Sequence, residues 1–163
     1  MSDAHHPSNL PWLDRLNMHV QGTPGYLSTS DRRKADEMFR LAIDRRLARS
    51  VESINKAIQE CESRQAEREI GSLQQIREQI NRLADRVRRS SANSAFLESD
   101  ELGTAKADTL HALEHALVER ADEILSVTQQ QPEGHDWLSR IQDAIDGFHK
   151  KLDARALLFE RLI

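Results

Sequence analysis

Apolar residues recur along this chain at helical spacing, in runs separated by polar punctuation. Ile43, Leu47, Val51, Ile54, Ile58 and Cys61 follow one another at steps of 4, 4, 3, 4 and 3. Leu73, Ile76, Ile80, Leu83 and Val87 continue at 3, 4, 3 and 4. Such steps place one apolar stripe on one side of an α-helix, as in a heptad seam. Between the two runs the step from Cys61 to Leu73 is twelve residues, where an unbroken seam calls for about eleven. The intervening stretch is polar and contains Gly71. A single long helix over about 30–90 with a local phase shift is the expectation, and a bend near Gly71 is its alternative. At about 1.5 Å per residue this helix would span roughly 90 Å.

Its start is marked by the capping oxygens of Ser28, Thr29, Ser30 and Asp31. Its end is marked by Ser90, Ser91, Ala92, Asn93 and Ser94, a loop by composition. A second helix follows over about 100–130, with Leu110, Leu113, Leu117, Ala121 and Ile124 as its stripe. Pro132 and Gly134 end it. A third helix over about 135–162 carries Leu138, Ile141, Ile145, Phe148, Leu152, Ala156 and Phe159. Residues 1–27 form a mixed leader. Within it, Trp12, Leu13 and Leu16 suggest a short docking helix, and Pro24-Gly25 suggests a tight turn.

The fold class this predicts is all-α, a long coiled-coil-like helix with two shorter antiparallel helices forming a three-helix bundle over 28–163. The shorter helices span roughly 40 Å each and cover only the C-terminal half of the long one. Residues 31–65 then lack a partner within the chain. Their seam of Ile43, Leu47, Val51, Ile54 and Ile58 would face water, so self-association into a homodimer is the expected remedy. In the alternative, the third helix extends along this half and covers it.

Composition agrees with long helices. Charged residues make up 31% and aromatics only 4% of the 163 residues, so much of each helix must be wet. The net charge of −4 excludes nothing, but its distribution is uneven. Residues 28–91 carry 15 Lys/Arg against 11 Asp/Glu, and residues 92–163 carry 7 against 14. The two halves should attract each other. A single cysteine rules out an internal disulfide and favours a reducing, cytoplasmic setting. No stretch is long and apolar enough to span a membrane.

Four groups of polar residues carry candidate chemistry. Arg82, Arg86, Arg88 and Arg89 form a basic patch, where cations complement the helix C-terminus or hold an anion. With Arg45, Arg46 and Arg49 they give the alternative of a nucleic-acid-associated coiled coil. His111-Ala112-Leu113-Glu114-His115 has the H-x-x-E-H spacing of inverted zinc peptidases, in which two imidazoles one turn apart hold zinc. On a helical wheel both histidines fall on the solvent flank and Glu114 on the core side, so His111 and His115 are only weak metal candidates. His149 lies within the apolar face of the third helix at a height matching Glu114. A buried Glu114–His149 contact, joined by Arg77, is therefore expected. No phosphate loop, nucleophile elbow or Cys/His cluster is present, and no cofactor is implied. The function this supports is a non-enzymatic protein–protein interaction module: an adaptor, chaperone-like or scaffold element.

Overall fold

The computed structural model describes residues 29–90, 104–130 and 134–161, with some helix-end side chains excepted. They form four helices and no strand: α1 (Thr29–Ser63), α2 (Glu67–Arg89), α3 (Thr104–Gln129) and α4 (Gly134–Arg161). The leader and its possible docking helix lie outside these residues, as does the loop expected at 91–94.

The long helix is not continuous. It ends at Ser63, and Gln65 adopts a left-handed backbone with φ 59°. The amide of Ala66 donates to Cys61 O at 3.0 Å, and that of Gln65 to Glu62 O at 3.1 Å. This pair of bonds is a Schellman closure, which satisfies carbonyls at the helix end and turns the chain away. Ala66 then serves as the N-cap of α2 without a side-chain cap bond. Glu67 and Glu69 place negative charge at the positive end of the new helix dipole. Gly71, the expected point of bending, sits inside α2 on an exposed face. The extra residue between Cys61 and Leu73 marks a reversal, not a phase shift.

Four helices therefore replace the expected three. Side-chain pairs fix their directions. Arg88 meets Asp44, and Arg77 meets Asn55, so α1 and α2 run antiparallel. Arg46 of α1 meets Asp122 of α3 at 2.6 Å, while Asp36 and Glu114 share one partner further down, so α1 and α3 run parallel. Arg86 of α2 binds His149 and Asp153 of α4, and Ser90 O meets Arg155, so these two also run parallel. The result is two helical hairpins laid side by side, α1 against α3 and α2 against α4. The hairpin of the more basic half thus packs on that of the acidic half, with Arg46–Asp122 and Arg86–Asp153 bridging them.

This arrangement overturns the expected unpaired seam. Ile43, Leu47 and Ile54 are fully buried, Ile58 is 6% exposed, and Val51 is half-buried. They join one core with Ile80 and Leu83 of α2, Leu117 and Ile124 of α3, and Ile141 and Phe148 of α4. The reversal at Gln65 brings the second seam onto the first, so the chain supplies the partner that a dimer was invoked to provide. Each such aliphatic side chain contributes roughly 1.5–3 kcal/mol by burial. By the register of Arg46 on Asp122, α1 runs on for roughly 15 Å beyond the end of α3. This extension and the start of α2 form the tip of the bundle. The opposite end, here called the base, gathers the start of α1, the end of α2, the start of α3 and the end of α4.

Candidate functional site at the base of the bundle

Charged side chains enter the core at the base. Arg155 of α4 is 1% exposed, Asp36 of α1 2% and Glu114 of α3 2%. The Arg155 guanidinium donates from Nε (3.0 Å) and Nη2 (2.8 Å) to Glu114 Oε1. Nη2 also reaches Asp36 Oδ1 at 2.5 Å, and Nη1 donates to the carbonyl of Ser90, the C-cap of α2, at 2.8 Å. Phe39 and Phe159 lie against it, with their ring centroids 4.7 and 4.6 Å from the guanidinium carbon. Asp36 is held further by Arg40 at 3.0 Å, and Arg40 reaches Arg88 O. One planar cation thus binds groups from all four helices. Arginine suits this place because its fork offers several donors in one fixed plane.

The expected Glu114–His149 contact is replaced by this network. Glu114 is buried as expected, but Arg155 holds it. His149 Nδ1 instead lies 3.1 Å from Arg86 Nη1, and Arg86 also binds Asp153. Arg77 pairs with Asn55 Oδ1 at 3.0 Å and is not a third member. Arg155 lies six residues beyond His149, and its long side chain reaches the other helices across the core. The signal for it was in the sequence: Ile145, Phe148, Leu152, Arg155 and Phe159 step by 3, 4, 3 and 4. An apolar-only stripe assigns that seat to Ala156, which is exposed.

His111 is a second correction. It is 8% exposed rather than on the solvent flank. Burial pushes its pKa down to about 4, with the carboxylate of Asp108 opposing the shift, so the ring is neutral at pH 7. The reason is architectural. A helix in a four-helix bundle has neighbours on two adjacent sides, and its buried arc is wider than a single facing partner requires. His115 is half-buried and sits 3.7 Å from Glu119. Among the described residues no group of three or more His, Cys, Asp or Glu side chains converges as a metal site would. At the tip, burial and a hydrogen bond to Glu69 raise the pKa of Cys61, which keeps the thiol protonated and poorly nucleophilic.

The basic patch divides by environment. Arg88 is tied to Asp85 by a 2.8 Å hydrogen bond and lies 2.8 Å from Asp44. Arg86 is engaged across the α2–α4 contact. Arg82 and Arg89 point outward; Arg82 makes an exposed 2.6 Å pair with Glu78, and Arg89 has no ion pair among the described residues. Arg45 and Arg49 of α1 are exposed, while Arg46 is mostly buried against Asp122. Two recesses meet at Arg86 and Ser90. One, of about 410 Å³, is lined by Arg82, Arg89 and Asp85 as well. The other, of about 240 Å³, lies over Leu152, Ala156 and Phe159, with Glu160 at its edge.

Comparison with known proteins finds no matching family model, no similar curated protein and no similar solved structure. The geometry of the base is therefore the ground for assigning a function. No described helix is long and apolar enough to cross a membrane.

Proposed function

We propose that this chain is a non-enzymatic helical-bundle module for protein–protein interaction, of the adaptor, scaffold or chaperone-like kind. One observation carries the reading. The polar groups best placed for chemistry, Arg155, Glu114 and Asp36, are bound to one another inside the core, whereas the recess beside them combines apolar floor with exposed arginines. A group saturated by structural partners is poorly placed to transfer protons or attack a substrate. An apolar recess with a charged rim has the anatomy of a protein-docking surface. Self-association through Ile43, Leu47, Val51, Ile54 and Ile58 forms no part of this proposal, because the bundle covers that seam.

A second reading rests on Arg45 and Arg49, which stand exposed on α1 and make the surface available to nucleic-acid phosphates. Two experiments separate the readings. Selection of a displayed random 16-residue peptide library on the folded protein should enrich specific binders with micromolar affinity. Failure to enrich any sequence over an empty support contradicts the interaction module. Retention on heparin that falls steeply with salt, abolished by Arg45→Glu with Arg49→Glu, favours nucleic acid instead.

A further inference from the structure

The paired recesses at the base have a chemistry more specific than a generic docking surface. Leu152, Ala156 and Phe159 supply an apolar floor along α4, and Arg82 and Arg89 supply unburied cations along the adjoining edge of α2. The two are joined at Arg86, which His149 and Asp153 hold in place. The charges nearby are partly paired: Asp85 with Arg88, Asp153 with Arg86 and Glu78 with Arg82, which leaves Arg89 as the cation of the rim without an ion pair among the described residues. Asp85 and Glu160 are the exposed carboxylates among the lining residues, against the guanidinium groups of Arg82, Arg86 and Arg89.

We infer that this cleft between α2 and α4 receives an acidic amphipathic segment of a protein partner, with an apolar side chain over Phe159 and carboxylates against Arg82 and Arg89. Charge complementarity selects this occupant. A basic segment would face two exposed cations, and a wholly apolar one would desolvate Arg89 without an ion-pair partner and Arg82 with Glu78 alone. A single helical or extended segment fits the scale, because a recess of a few hundred Å³ accepts one or two side chains and not a folded domain. Arginine also pairs with carboxylates in a planar, two-bond geometry that a lone ammonium does not provide. Arg155 takes no direct part, since its donors are already engaged. It acts by holding Phe159 and the Ser90 carbonyl, and so the shape of the floor.

This inference rests on the interaction-module reading, and its test distinguishes the two. The probe is the same displayed 16-residue library, selected on the full chain and on two variants. Arg82→Glu with Arg89→Glu reverses the rim, and Ala156→Tyr fills the floor. Arg82, Arg89 and Ala156 are exposed, and circular dichroism with thermal unfolding confirms that each variant is folded. Sequences enriched on the unaltered chain should be rich in Asp and Glu with an apolar residue at helical or alternate spacing. Their affinity should fall at least tenfold in each variant, and should weaken between 50 and 500 mM salt as exposed charges are screened. Enriched sequences without an acidic bias overturn the inference. So do acidic sequences that bind both variants as tightly as the unaltered chain, although the module reading then survives with its site elsewhere. An empty selection overturns both. If a variant lacking residues 1–27 yields binders that the full chain rejects, the leader occupies the cleft and the partner assignment is wrong.

Discussion

The two ends of the bundle close in different ways. At the tip, Ile58, Cys61, Leu73 and Ile76 are buried in a purely apolar part of the core, and the exposed pair Arg64–Glu69 lies outside them at 3.9 Å. At the base, four helices converge on one buried guanidinium with two carboxylates, a carbonyl and two aromatic rings. Apolar contacts are non-directional, so the tip tolerates small slides of one helix along the other. Hydrogen bonds to a planar fork do not, so the base fixes how the α1–α2 hairpin sits against the α3–α4 hairpin. The tip is held by area, and the base by geometry.

The largest effect is expected where this contrast is sharpest. Arg155→Met removes the cation that buried Asp36 and Glu114 share, leaves Asp36 to Arg40, and should cost about 3–5 kcal/mol in urea unfolding. Replacing all three residues by apolar side chains of similar size should recover most of that loss. A triple variant as unstable as the single one would show that the network stabilises the fold outright and does more than set register.

In the tip, Leu73→Ala should cost about 2–3 kcal/mol, toward the lower end for buried leucine, because helix ends can settle into the space more readily than the middle of the bundle. Ile80→Ala, fully enclosed in the body of the bundle, should cost about 4 kcal/mol. Equal losses at both places would remove the distinction between tip and body.

Acidification should act through His111. Its pKa is lowered on folding, so the unfolded chain takes up the proton first and stability falls as pH drops below about 6.5. The slope should approach, but not exceed, about 1.4 kcal/mol per pH unit, and the loss should level off near pH 4. Urea midpoints at pH 7.5 and 5.0 should therefore differ less in His111→Gln than in the unaltered chain. The smallest effect belongs to the turn. Gln65→Gly relieves a left-handed backbone and should raise stability by about 0.5–1 kcal/mol, read as a higher thermal midpoint.

The sequence was most legible where information is local. The apolar stripes placed α3 and α4 close to their observed limits, because Leu117, Ile124, Ile141 and Phe148 report their own burial. The turn at Gln65 was hidden because it has neither proline nor glycine at the point of reversal. A polar run between two seams reads equally well as a solvated helix face. Its one trace was the twelve-residue step to Leu73. Arg155 keeps the spacing of the apolar stripe, but its charge masked that signal for a different reason. A charged residue is buried only when its partners arrive from other helices, and nothing in the neighbourhood of Arg155 announces Asp36 or Glu114. Glu114 was recognised as inward-facing, but its partner depended on an architecture with one helix more than the periodicity suggested.

The account stands on the reversal at Gln65, because it turns the supposedly free seam into core and creates the base. Spin labels on cysteines replacing the exposed Arg49 and Arg82, in a Cys61→Ala background diluted with unlabelled protein, measure it directly. Packed antiparallel helices lie about 8–10 Å apart, so with the label arms the distance should fall below about 25 Å. A continuous helix would hold the same sites roughly 50 Å apart, and that result would contradict the four-helix bundle.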